Sequence, residues 1–191
     1  MYLADVDIRA ALERQEIVIR DFEEKRLQPA SYDILLGNRF IVNDDHTTHY
    51  IDPSRGVFAR TREILVPDGE EFVLHPGVSV LGCSKDYFGS DRFLIQLGGK
   101  SSLARVGLMV HNTAGLINPG HYLQITLELC NLNSVPIILR PGMAIGQLLF
   151  AHLSSVPAVS YCQIGRFARD NWANFAPEMV ARDDPLSTTS S

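Results

Sequence analysis

In "EILVPDGEEFVLHPGVSVLGC", "RFLIQLGGKSSLARVGLMVHNTAG", "HYLQITLELCN" and "VPIILRPGMAIGQLLFAHL", apolar runs are short, and glycine or proline stands within or between the stretches. Asp-Gly and Pro-Gly pairs are turn formers, because glycine supplies a positive φ and proline presets the residue before it in the turn. Such a chain cannot build long helices across this region. Short strands at close intervals, separated by turn residues, predict an all-β architecture in which a sheet closes on itself or two sheets form a roll, in preference to βαβ units.

The flanks are read more locally. Asp5 or Asp7 can cap a short helix through Gln15, with Ile8, Ala11 and Leu12 as its apolar stripe. "EIVIRDF" has strand-like residues, and "LQPASYDILLGNRF" reads as a loop and then a strand entering a Gly-Asn turn. Residues 43 to 58 are rich in turn formers and predict an excursion or an irregular hairpin, and the GKSSLAR stretch has room for a helical turn. Beyond Pro157 the strand period weakens, so residues 1–157 are expected to form the β domain with its N-terminal helix. Residues 158–191 are expected to form a C-terminal docking arm or loose tail, ending in the flexible "PLSTTSS". No internal repeat points to a propeller or solenoid.

A chain of 191 residues, 46% of them hydrophobic, has the material for one core. Its net charge of -5 argues against a broad nucleic-acid surface, so an anion would need a focused site, and a small phosphorylated ligand suits that condition. Cys83, Cys130 and Cys162 are odd in number and widely spaced; they fit reduced packing thiols better than a disulfide framework or a CxxC knuckle. No basic segment with an apolar signal core opens the chain and no apolar run approaches ~20 residues, which predicts a cytoplasmic protein without a membrane partner.

Two clusters carry chemistry. Lys100, Ser101, Ser102 and Arg105 bring positive charge and hydroxyl donors together within six residues, a set suited to phosphate oxygens. It is not a GxxxxGK[ST] loop, and a surface turn with Arg105 on a neighbouring carboxylate remains the alternative. In "HYLQITLELC", alternation places Tyr122, Gln124, Thr126 and Glu128 on one strand face and Leu123, Ile125, Leu127 and Leu129 on the other. Glu128 could exchange protons if partly enclosed, or be an ordinary strand-face acid. HExxH, the H-x-E with P-C-x-x-C zinc pattern and the GxSxG elbow are all missing from the sequence.

Taken in order, "ADVDIRAAL", "LQPASYDILLGNRF", "GKSSLARVGLMVHNTAG", "INPG" and "ITLELCN" resemble the dCTP deaminase branch of the trimeric dUTPase superfamily over roughly residues 1 to 155. The resemblance implies a distorted β-barrel or jelly roll of the dUTPase-like type with short peripheral helices, assembled as a homotrimer with nucleotide pockets between subunits. It implies metal-free attack of water on C4 of a cytosine deoxynucleotide, giving dUTP and ammonia from dCTP, with Mg²⁺ accompanying the phosphates and neither zinc nor an organic cofactor. By the same resemblance Glu128 exchanges protons with the water and the leaving amine, Ser101 positions the water, and Arg105 organises the site. Lys100, Ser101 and Ser102 contact the triphosphate, Thr113 and Ala114 meet the water and pyrimidine edge, and Asn118 meets the deoxyribose hydroxyl. Tyr122 and Tyr161 are further binding candidates, with Arg166 and Arg169 as charge replacements for a C-terminal lysine and glutamine motif.

Three positions depart from the family pattern. Asn118 stands where a carboxylate is usual, which argues against a second, diphosphate-releasing step. Gly98 stands where an acidic side chain is common, and Leu123 replaces a frequent glycine. A nucleotide diphosphatase or bifunctional enzyme and a non-catalytic nucleotide-binding or structural homotrimer are the alternatives.

Overall fold

Alternating burial along His121–Asn131 is the pattern on which the architecture is built: every second side chain, from His121 through Leu123, Ile125, Leu127 and Leu129 to Asn131, is buried. In the computed structural model, which describes residues 1–44, 49–165 and 167–168, this is the tenth of twelve strands. In chain order the elements are α1 (Asp5–Glu13), β1 (Val18–Ile19), β2 (Leu27–Gln28), β3 (Ser31–Asn43), β4 (Thr61–Leu65), β5 (Phe72–Leu74), β6 (Ser79–Ser90) and β7 (Phe93–Gly99). There follow α2 (Ser101–Ala104), β8 (Leu108–Met109), β9 (Leu116–Ile117), β10 (His121–Asn131), β11 (Ile137–Leu139), β12 (Ala144–His152) and α3 (Tyr161–Ile164).

Ten strands form one sheet with the path β8-β10-β6-β3-β12-β7-β9, onto which β1, β2 and β4 pair at the sides; β11 and β5 make a separate two-stranded piece. All the pairings are antiparallel. The sheet curls into a half-barrel around Tyr32, Phe40, Phe88, Phe93 and Phe150, each fully buried or nearly so, and the two-stranded piece adds Leu74 and Leu139. This is the all-β jelly roll with short peripheral helices that the turn punctuation and the resemblance predict. Among the described residues no helix is long and apolar enough to cross a membrane.

Local expectations fare unevenly. The first helix buries Ile8 and Ala11 but begins after Ala4 with no side-chain cap, and it stops at Glu13, where Gln15 turns left-handed at φ 57°. Asp5 instead pairs with Arg9 one turn along. The "EIVIRDF" strand shrinks to two residues. More consequentially, no turn occurs at Gly37-Asn38: β3 runs straight through them. Glycine is required there because a Cβ would stand 3.0 Å from the Cys83 carbonyl oxygen and closer still to its sulfur. The signal read as a turn is thus a close approach of two strands. Residues 45–48 of the expected excursion lie outside the described residues; its later part is a bridge between Asp52 and Val57 around a short 3₁₀ turn, and the helical turn in GKSSLAR is α2.

Beside that approach the pairing of β6 slips against both neighbours, with register shifts between Leu36 and Phe40 and between Gln124 and Thr126. Side chains fill the gap. Ser84 Oγ donates to the Asp86 carbonyl at 2.8 Å and accepts from Ile125 N at 2.9 Å, while Asp86 Oδ2 accepts from Leu35 N at 2.7 Å. Arg26 Nη1 reaches Asp86 Oδ1 at 2.7 Å and also the Asp33 carbonyl, and its guanidinium lies 4.8 Å from the Tyr32 ring centre. Both partners are buried, at 7% and 4% side-chain exposure. Removing one partner of such a pair strands the other charge in the interior, so Asp86→Ala should destabilise the fold by about 3–5 kcal/mol in urea unfolding. Truncation of the exposed Lys25 should leave the midpoint close to wild type.

Candidate active site

Strands β3, β12 and β7 lie side by side, and their register sets Asp33 opposite Gln147 and Gln147 opposite Gly98. These three positions therefore share one face. Lys100, two residues beyond Gly98, extends over Gln147 and places Nζ 2.5 Å from Asp33 Oδ2. Gly98 makes room for this: a Cβ there would come within 3.3 Å of the Gln147 side chain. Gln147 is held from both sides, accepting from Ser31 Oγ at 2.8 Å and donating to the Gly99 carbonyl at 3.0 Å.

These groups line a cleft of about 310 Å³ with Gln28, Pro29, Ala30, Ser101 and Ser102. Ser101 and Ser102 open α2 and are exposed, so their hydroxyls are available to a ligand. The cleft offers an ammonium, hydroxyls and amides, a donor set matched to phosphate oxygens. As a metal cage it fits poorly. Among the described residues no three His, Cys, Asp or Glu side chains converge, and the cleft's one carboxylate is already paired.

The other predicted residues fall into separate neighbourhoods. Arg105 caps α2 and is exposed, outside the cleft lining. Glu128 sits half-buried on the polar face of β10, and its Oε2 accepts from Asn112 N at 2.6 Å. The segment carrying Asn112, Thr113 and Ala114 is brought there by β8, whose Met109 pairs with Cys130. Asn118 lies exposed in a turn closed by His121 N donating to its carbonyl at 3.1 Å, with Gly120 at φ 85°. Tyr161 docks on this turn, its ring stacked on His121 at 4.3 Å between centres and its N–H donating to the Pro119 carbonyl. Tyr122 packs against Gly89, where a Cβ would meet its ring, and its phenol interacts with Asp91. Arg166 and Arg169 lie outside the described residues. One chain thus gathers Lys100, Ser101 and Ser102 in the cleft, and holds Glu128, Asn118, Tyr122 and Tyr161 elsewhere.

Gln28, Ser31, Asp33 and Gln147 were missed from sequence. Ser31 and Asp33 are polar at alternate positions just before the apolar run of residues 34–36, and Gln147 is the lone amide in "AIGQLLF". Such polar interruptions of a strand are a usable signal, but only strand pairing reveals that they meet.

Residues 2–153 match the family described as dCTP deaminase-like. A protein of Tropheryma whipplei (strain Twist) is 49% identical over 162 residues, covering 84% of this chain and 83% of its own, and is named "dCTP deaminase, dUMP-forming". One from Pseudarthrobacter chlorophenolicus with the same name is 43% identical over 164 residues, covering 85% and 86%. The solved 2'-deoxycytidine 5'-triphosphate deaminase from Agrobacterium tumefaciens superposes with a TM-score of 0.60 at 21% identity, over 80% of this chain and 48% of that one. Fold and sequence together define a hydrolase of the dUTPase-like jelly-roll class. Within that class, the chain belongs to the dCTP deaminase-like family.

The relatives correct one expectation. Release of dUTP as the end product is overturned by the names of proteins 43–49% identical to this chain, which specify dUMP. The contrary expectation rests on Asn118, which has an amide where a carboxylate is usual. Phosphoryl transfer proceeds through a loose transition state in which positioning and charge stabilisation dominate, so an amide there does not exclude the step.

Burial, and then the charge and hydrogen bond of Asp91, push the Tyr122 phenol up to about 12. With its folded value above the ordinary value near 10, the phenol's contribution to stability is intact below pH 10 and is lost as pH rises toward 12. Burial also raises the Tyr32 phenol, so absorbance titration should show late-ionising phenols of which Tyr122→Phe removes one component and leaves the other.

Proposed function

We propose that the protein is a cytoplasmic homotrimer that hydrolyses dCTP to dUMP, ammonia and diphosphate, consuming two waters. The observation that carries this reading is 49% identity, over 84% of the chain, to a protein named for that conversion. The geometry supports a division of labour. The cleft around Lys100, Ser101 and Ser102 takes the phosphates, with Gln147 as a further amide donor. Glu128 serves the ring: Asn112 N fixes Oε2, and Oε1 makes no hydrogen bond among the described residues.

In the first hydrolysis the oxygen of a water held by Ser101 bonds to C4 as the C4=N3 π bond opens, and Oε1 of Glu128 carries a proton from that water to N3. The C4 hydroxyl proton then passes through the same carboxylate to the amino nitrogen, C4=O forms as the exocyclic C4–N bond breaks, and ammonia leaves a uracil ring. Thr113 and Ala114 meet the pyrimidine edge and Asn118 the deoxyribose hydroxyl. In the second hydrolysis water attacks the α-phosphorus and the bond to the bridging oxygen breaks, releasing diphosphate. Arg105 and Tyr161 supply charge and hydrogen bonds to the phosphates. Mg²⁺ enters as part of the nucleotide, carried on its phosphate oxygens.

Because the cleft and Glu128 are apart on one chain, a complete site joins the cleft of one subunit to the carboxylate of another. Val106 and Leu132, 46% and 68% exposed, support a subunit contact next to Arg105, since Leu132 N donates to the Gly107 carbonyl and brings the two together.

Incubation of the purified protein with dCTP and Mg²⁺ should yield ammonia, diphosphate and dUMP in equal amounts, and light scattering should give three times the chain mass. Accumulating dUTP without diphosphate, or an inert cytosine nucleotide, would sink the proposal. Glu128→Gln should lower ammonia release by about 100-fold or more while nucleotide binding persists, because an amide cannot shuttle the proton.

A further inference from the structure

We propose that Asp33 is a positioning residue for the reaction: it holds the Lys100 ammonium in the cleft at the place where the phosphates bind. The inference rests on the phosphate reading of that cleft. Lysine is a point charge on a flexible four-carbon stem, and with no anchor its preferred state is an extended one in water. Lys100 is not in that state. It crosses β12 from the end of β7 to reach β3, and its side chain is only 25% exposed.

The anchor is itself constrained. Asp33 is 13% exposed, its Oδ2 accepts from Lys100 at 2.5 Å and from Gln28 Nε2 at 3.4 Å, and its Oδ1 is buried without a hydrogen-bond partner among the described residues. A half-buried carboxylate with an oxygen left unsatisfied is a costly group to keep at a strand position unless a charge opposes it. Here the opposing charge is Lys100, and an ammonium has three donors, so pairing with Oδ2 leaves others for a ligand. Asp33 is fixed in turn from behind, because the buried Arg26 donates to its carbonyl. The carboxylate therefore sets where the ammonium stands, and the phosphates meet a charge already in place rather than one that must be immobilised on binding.

Such a contact is made equally before and during ring chemistry, so its loss appears in KM and not in kcat for ammonia release. Asp33→Asn is nearly isosteric and keeps a partner for Gln28, and it is expected to raise KM for dCTP about tenfold with kcat within about twofold. Asp33→Glu, which keeps the carboxylate, should recover part of that loss. The deciding measurement is the cycle with Lys100→Met. Lys100→Met alone should raise KM at least as much as Asp33→Asn, and the double variant should be no worse than Lys100→Met, because Asp33 has nothing left to position. Additive losses in the double variant, a fall in kcat with KM unchanged, or wild-type KM in Asp33→Asn would overturn the positioning role and leave the phosphate cleft standing. Wild-type KM in Lys100→Met would remove the cleft's phosphate role and the proposal with it. Thermal melts of every variant distinguish these outcomes from a folding defect: a KM rise tracking Tm loss instead of the Lys100 background counts against the proposal.

Discussion

The buried pairing of Arg26 with Asp86 is the interaction on which the rest of this structure depends. Strand β6 lies between β3 and β10 and matches the register of neither along its whole length. At the slip, backbone groups that would ordinarily bond across the ladder need other partners. Asp86 supplies one to Leu35 N, Ser84 supplies another to Ile125 N, and Arg26 balances the carboxylate while bonding the carbonyls of Asp21 and Asp33. A bulged strand bends and twists more strongly than a regular one. The irregularity that these side chains satisfy accompanies the curl of the sheet into a half-barrel.

The same network reaches the site. Arg26 grips the backbone of Asp33, whose side chain meets Lys100, so the interior pair and the cleft are two ends of one chain of polar contacts. The Ser31–Gln147–Gly99 series runs beside it. The cleft thus has paired strands on one side and the start of α2 on the other; Glu128 also stands on a strand, against the segment that begins at Asn112, whereas Asn118 stands on a tight turn beside the docked Tyr161.

Much of this was legible in the chain. Alternation in "HYLQITLELCN" fixed which side chains face the core, and β10 buries that set. Pro-Gly in "HPGVSV" marked a real turn, but the Gly-Asn pair in β3 did not, since the same residue type serves both a positive φ and a close strand approach. Lys100, Ser101 and Ser102 were found together because they are neighbours in sequence. Their cleft partners come from positions 28 to 33 and 147, a separation that no local pattern spans.

By itself the sequence determined the all-β class, the faces of its strands and the identity of the chemically able groups, because these follow from period, turn chemistry and residue type over short distances. Tertiary structure alone decided that Asp33 and Gln147 attend Lys100, that Arg26 closes on Asp86, and that Glu128 lies away from the cleft on its own chain. Strand order and register produce those meetings. They arise from the packing of the whole sheet, in which residues far apart along the chain become neighbours across about 5 Å.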